Sequence, residues 1–332
     1  MRGHEESAQG EMPEQPTDAI RGEVRLAGHL RVSHGLFLPE IEGLTAEAAF
    51  RRELAAWRLV LPAGALFTHL TAARLYSWQL PRLPQSVPVF SASESDRSRP
   101  QRPGLLHSRL VRPTSPTLIH GLPVDLPEEI LLRAARDLGL LDLLILVDSA
   151  RRHGHLDRRR LADVVASRRP GVRMLRKALS LSDERADSGP ETLLRIFHVV
   201  MDVPVTPQAR LYDEHGSLVG QADLLVVGTN RLHEYDGEVH RGRQQHRVDL
   251  RRDRALSGAG YVRHGYTLDD LLNQPITVMH ELDRILGRPH LMSRVRRWQR
   301  LVDNSLFSAR GRERVLNRWR RLGGIADWSE TA

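Results

Sequence analysis

The chain has 332 residues, 40% of them hydrophobic and 27% charged, and no cysteine. Two domains are expected at this length, disulfides and thiolate metal sites are excluded, and no apolar run reaches the roughly 18–20 residues of a membrane span. The formal net charge is +8 and Lys177 is the only lysine, so the basic character is almost entirely arginine.

Residues 1 to about 30 mix Glu, Gln, Pro, Gly and Ser without periodicity, which predicts a disordered extension. The acidic, polar start is not a secretory signal, and a cytoplasmic protein without membrane contact is expected. From Leu44 to Leu59 the apolar spacing predicts an amphipathic helix, and Thr68 is placed to cap a short second one. Strands are predicted at Val87–Phe90, Leu105–Val111 and Leu118–Val124. A helical region follows from Pro127 to about Leu181, broken at Gly139, His153-Gly154 and Pro170-Gly171.

Ser188-Gly-Pro-Glu191 opens a new helix. Strands are predicted near Val205–Tyr212, Leu218–Val227 and Arg231–Asp236, then a helix over Arg243–Ser257, a strand at Tyr261–Tyr266 and a helix over Thr267–Leu286. The order is α-β-β-β-α-β followed by a helix. Residues 287–332 form a basic tail, with eleven arginines against Asp303, Glu313, Asp327 and Glu330.

The chemistry concentrates on the second and third strands of this unit. Alternation along a strand puts Glu234 and Asp236 on one side and Tyr235 on the other, with Asp223 one strand back. Three neighbouring carboxylates repel one another, and a hard divalent cation such as Mg²⁺ or Mn²⁺ relieves that repulsion. The pattern predicts a metal-dependent hydrolytic site with Asp223, Glu234 and Asp236 as ligands. His240, four residues beyond Asp236, is a candidate proton shuttle, whereas His233 and His246 read as surface residues. Glu191 has two readings, a site carboxylate or the closing member of a capping box with Ser188. Arg243, Arg247, Arg251 and Arg254 share one helix face, which is either a phosphate-binding stripe on DNA or a solvated surface. In the tail, arginines flank Trp298 and Trp319, and nucleic-acid binding and docking on the body are both open.

On Glu191, Asp223, the string Glu234-Tyr-Asp236-Gly-x-x-His240 and the downstream Asp249-Leu-Arg-Arg252, residues 188–286 resemble the very-short-patch-repair-like nucleases, a restriction-endonuclease-like family. Residues 34–182 resemble a segment related to the winged-helix region of abortive-infection type IV antitoxins. The matching pieces include His69-Leu-Thr-Ala-Ala73, Gly121-Leu-Pro-Val124 and Asp148-Ser-Ala-Arg-Arg. The resemblance implies an α/β chain in four parts: an extension (1–30), a winged-helix-like and helical domain (31–182), a restriction-endonuclease-like nuclease domain (188–286) and the tail (287–332). It implies DNA as partner, Mg²⁺ or Mn²⁺ as cofactor, and a catalytic set of Asp223, Glu234, Asp236, His240 and Glu191. The chain departs from the wider motif Asp…Glu-x-Lys, because Asp236 holds the lysine position. An arginine that relatives carry before the aromatic Tyr266 is shifted to Arg263 or lost. The alternative is a non-catalytic, DNA-binding regulator of antitoxin type that keeps the nuclease fold as scaffold.

Overall fold

A computed structural model describes residues 17–22, 27–94, 100–112, 115–237 and 252–323. Among these, the chain is mixed α/β, with three sheets and twelve helices. The first sheet has the order β1 (Ile20–Arg21), β3 (Leu36–Pro39), β2 (His29–Ser33), all antiparallel. The expectation of disorder to residue 30 is therefore corrected at its end. Ile20 and Arg21 pair with Phe37 and Leu36, whose strand offers an edge that a polar sequence can still join through its backbone. α1 (Ala46–Arg58) starts where the Thr45 hydroxyl accepts the Ala48 amide at 3.2 Å, and it buries Leu54, Ala56 and Trp57.

The second sheet joins β4 (Leu66–Phe67), β5 (Val89–Ser93), β6 (Leu105–Arg109), β7 (Thr117–Ile119) and β8 (Leu122–Val124) in the order β6-β5-β4-β8-β7. Between β4 and β5 lies α2 (His69–Leu75). The Leu118–Val124 stretch is a hairpin rather than one strand, because His120 and Gly121 take φ of 50° and 73°, the left-handed pair of a two-residue turn. Thr68 occupies the cap position of α2 without bonding the helix, and its hydroxyl donates instead to Asp125 at 2.7 Å.

The helical region resolves into α3 (Pro127–Ala134), α4 (Leu140–Arg152), α5 (Arg158–Ala166) and α6 (Val172–Leu181), broken at the predicted Gly and Pro positions. Every residue of α4 from Leu140 to Ala150 is buried, so it serves as the central strut. Its buried acids are satisfied. Asp142 accepts the Gly139 and Leu306 amides at 3.1 and 3.0 Å, and Asp148 accepts from Arg195 at 2.7 Å and Thr192 at 2.9 Å.

The third sheet carries the predicted unit. α7 (Gly189–Val200) precedes β9 (Val205–Tyr212), β10 (Leu218–Val226) and β11 (Arg231–Tyr235). α8, described over 252–258, leads to β12 (Val262–Tyr266), giving the order β12-β11-β10-β9 with only the β11–β12 pair parallel. The closing helix is two: α9 (Leu268–Asn273) and α10 (Pro275–Ile285), because Pro275 forces Gln274 out of helical geometry. α7 covers one face of the sheet, where Leu224, Val226 and Tyr266 join a hydrophobic cluster running from Leu36 to Trp319. On the other face Ala209, Leu211, Ala222 and Leu232 pack on Leu256 of α8.

The tail docks on the body. In α11 (Met292–Asp303) and α12 (Ala309–Arg321), Trp298 and Trp319 are 0% exposed. Trp298 Nε1 donates to Leu271 O at 2.7 Å and Trp319 Nε1 to Asp137 Oδ2 at 3.1 Å. The flanking arginines pair with buried acids of the body, Arg294 with Asp283 and Arg318 with Asp137. No helix among the described residues is long and apolar enough to cross a membrane.

Candidate active site

Register brings the predicted carboxylates to one place. Leu224 pairs with His233 and Leu225 with Leu232, so the next step of the ladder sets Asp223 opposite Glu234. Glu234 lies beside Gly265 of β12, and Ala222–Ala209 pairing sets Gln208 of β9 beside Asp223. Gln208, Asp223, Glu234 and Gly265 thus form a row across the sheet. The ladder ends here: Asp223 Oδ2 accepts the Tyr235 amide at 2.9 Å, a side chain taking the place of a strand carbonyl. Gln208 itself sits at φ 49°, a left-handed conformation that is uncommon for a non-glycine residue and is often found at functional positions.

Glu191 completes the group from the first turn of α7. Its carboxylate accepts the Asp187 amide at 2.9 Å and the Ser188 hydroxyl at 2.8 Å, while the Ser188 oxygen accepts the Glu191 amide at 3.3 Å. The expected capping box is modified, since the glutamate reaches the amide before the cap residue rather than the cap's own. Glu191 Oε2 also accepts Gln208 Nε2 at 3.0 Å, which ties the helix start to the carboxylate row. Capping and site membership therefore coexist in this residue. Burial, and then the negative charge of Asp223, push the Glu191 carboxyl up to about 7. Asp223 is also raised, first by burial and further by Glu234, against the opposing pull of the Tyr235 amide and Arg252.

Glu234 is the most buried of the set, 4% exposed, and its charge is answered. Oε1 pairs with Arg252 of α8 at 2.6 Å and Oε2 with Arg263 of β12. Asp236 lies on the same side, exposed, and its amide extends the parallel ladder to Tyr266 O at 2.8 Å. A Cβ at Gly265 would stand 3.3 Å from Asp236 Cβ, so glycine there leaves room for the acid. Asp236, Arg263 and Asp253 line an open cavity of about 680 Å³. Tyr235 faces away and packs on the main core.

His240, Arg243, Arg247 and Arg251 lie outside the described residues, and Arg254 is exposed. Among the described residues, Arg252 and Arg263 reach Glu234. Arg252 stands one position beyond the predicted stripe of Arg243, Arg247 and Arg251, a shift that a stripe drawn on spacing does not detect. Arg263 lies one strand-side alternation before Gly265, on the face of Leu232 and Glu234, and the parallel register could have found it. Among the described residues no three His, Cys, Asp or Glu side chains are grouped to hold a metal.

His233 is corrected from surface to core. It is 0% exposed, and its Nδ1 lies 2.7 Å from Nε2 of His198 in α7, whose Nδ1 donates to Leu194 O at 2.8 Å. Burial pushes both rings down, His198 to about 4 and His233 to about 2, so the pair is neutral. His233 has the strand parity of Tyr235, which faces the core, and that alternation carried the signal.

Compared with known proteins, the chain matches no family model, and neither a curated protein nor a solved structure is similar to it.

Proposed function

We propose that the chain is a metal-dependent DNA endonuclease with a restriction-endonuclease-like core in its third sheet and a winged-helix-like N-terminal half. The observation that carries this reading is the row of Asp223 and Glu234 on adjacent strands, joined by Glu191 from the helix start and by Asp236 two residues on. Glu191 and Asp223 are held unfavourably close, with raised pKa values, at a half-buried position where an added cation would relieve the repulsion. The donor type suits Mg²⁺ or Mn²⁺, which prefer carboxylate oxygen, and Asp223, Glu234 and Asp236 would have to draw together to hold the ion, since as they stand they are not grouped for it. When bound, such an ion polarises the phosphate and acidifies its water.

The remaining roles fall to the chain's own groups. Arg252 and Arg263 orient Glu234 and supply beside it the positive charge that the sequence lacks at the lysine position. Asp236 faces the open cavity by which a phosphodiester would approach. Glu191 at a pKa near 7 is able to give or take a proton at neutral pH. His240 is assigned proton transfer from its place in the motif, and the stripe of Arg243, Arg247, Arg251 and Arg254 is assigned to phosphate contact.

One observation favours the second reading, a DNA-binding regulator on a nuclease-like scaffold: both Glu234 oxygens are engaged by arginine. Plasmid cleavage decides between them. The nuclease reading expects nicking with Mg²⁺ or Mn²⁺ that EDTA and Asp223→Ala abolish, and it is overturned if Asp223→Ala cuts as the parent does or if neither cuts.

A further inference from the structure

The second sheet and the last helix enclose a cavity of about 620 Å³, in the range of roughly 300–1,000 Å³ typical of small-molecule sites. It belongs to the N-terminal half and the tail, and shares no residue with the carboxylate row. Its charge is lopsided. Among the described residues, Arg109, Arg133, Arg136, Arg318 and Arg321 line it against one acid, Asp137.

Asp137 is already answered from within the protein. Burial raises its carboxyl, but His69, Arg318 and Trp319 hold it down, at about 2. Arg133 is likewise engaged, with Asp125 at 3.1 Å and the Ser108 hydroxyl at 2.8 Å. Arg136 and Arg321 are not. Arg136 donates only from Nε, to Pro170 O at 3.2 Å, and its guanidinium is disfavoured by burial and by the neighbouring cations Arg133 and Arg169. Arg321 is exposed and has no ion-pair partner among the described residues. Their positive charge, offset only in part by Asp137 and Glu129 at Arg136, therefore faces the cavity.

His69 adds an independent sign. It is 3% exposed and holds φ 54°, a left-handed backbone that a buried non-glycine residue adopts only where its surroundings impose it. Its Nδ1 accepts the Leu70 amide at 2.8 Å, so in the neutral ring the proton sits on Nε2. That Nε2 is buried from solvent and lies 3.3 Å from Asp137 Oδ2, so the acid beside it already answers it. The rest of the wall is apolar, from Phe90, Leu105, Leu106 and Leu322. A cationic end beside an apolar wall matches a molecule with one phosphate and one flat ring, and guanidinium groups serve both parts, by bidentate bonding and by stacking.

We propose that this cavity binds a nucleoside monophosphate, its phosphate against Arg136 and Arg321 and its base against the apolar wall. The site is separate from the carboxylate row and does not depend on the activity assigned there.

Isothermal titration of the full chain with AMP, GMP, CMP and UMP, in EDTA so that no metal at the carboxylates contributes, tests it. At least one of the four is expected to bind with 1:1 stoichiometry. Its affinity should fall about tenfold or more in Arg321→Gln, which removes an exposed, unpaired cation and leaves the fold intact, and likewise in Arg136→Gln. The matching nucleoside, lacking phosphate, should bind at least tenfold more weakly. No binding by any of the four, equal binding by both variants, or binding of oligonucleotides alone would overturn the proposal.

Discussion

Glu191→Gln separates charge from shape at the candidate site. The carboxyl rises from its ordinary 4.5 to about 7 in the folded chain, so the folded state holds its proton across a range where the unfolded chain has lost it. Below pH 4.5 both states are protonated and the group is neutral to stability. Between about 4.5 and 7 the folded state binds more protons, so stability falls as pH rises, and above 7 the full penalty is present. A shift of that size corresponds to at most about 3 kcal/mol, and partial solvent exposure reduces it to roughly 1–2 kcal/mol. Glutamine keeps the geometry. Its oxygen accepts the Asp187 amide and Gln208 as before, and its amide donates to the Ser188 oxygen. Urea unfolding of both proteins from pH 4 to 8 should show the variant gaining on the parent as pH rises, by roughly 1–2 kcal/mol at pH 8 and by nothing near pH 4. A variant less stable than the parent at pH 8, or a difference that does not change with pH, refutes the electrostatic account of the site.

Asp223 and Glu234 should behave oppositely when truncated, as urea midpoints will report. Asp223→Ala removes a repelled charge and is expected to hold or raise stability, whereas Glu234→Ala strands Arg252 and Arg263 and is expected to lose about 2 kcal/mol. Gly265→Ala brings a methyl within 3.3 Å of the Asp236 Cβ; the fold should survive, and any Mg²⁺-dependent cleavage should drop as Asp236 is displaced. Because His198 and His233 are buried neutral, with pKa values below the 6.5 of the unfolded chain, the parent should lose stability as pH falls below 6.5. Replacing His233 with Phe should flatten that slope in the same unfolding series. Trp319→Ala should cost about 3–5 kcal/mol and deletion of residues 289–332 should give insoluble protein, as expression and thermal melts will show, since both expose surface that the tail now covers.

Local rules made much of this fold legible. Gly154 follows the end of α4 at φ 65° and Gly139 and Gly171 open α4 and α6, so the predicted breaks hold, and the strands of the third sheet fall within a residue or two of their expected ends. The Asp223–Glu234 juxtaposition was equally readable, because a short Gly-Thr-Asn turn between two apolar strands fixes their register. What depended on contacts between distant segments was not readable. Arg252 finds Glu234 only once α8 lies across the sheet, and Trp319 meets Asp137 and Phe90 only because α12 closes over β5. His233 was misjudged because an isolated polar residue in a strand reads as exposed unless its partner, His198, is known. Ile20 and Arg21 were assigned by composition, which is blind to a free strand edge 16 residues away.

The tail's position constrains how the molecule is made. Asp142, in the middle of the chain, holds the amide of Leu306, and Asp137 receives Arg318 and Trp319, contacts 164 and more than 180 residues apart. Until α11 and α12 have been synthesised, Asp142 lacks the Leu306 amide and Asp137 lacks Arg318 and Trp319. Folding cannot proceed to completion in order of synthesis, as it does for chains assembled from independent units. These contacts form only once loops of more than 160 residues close, a topology that slows folding.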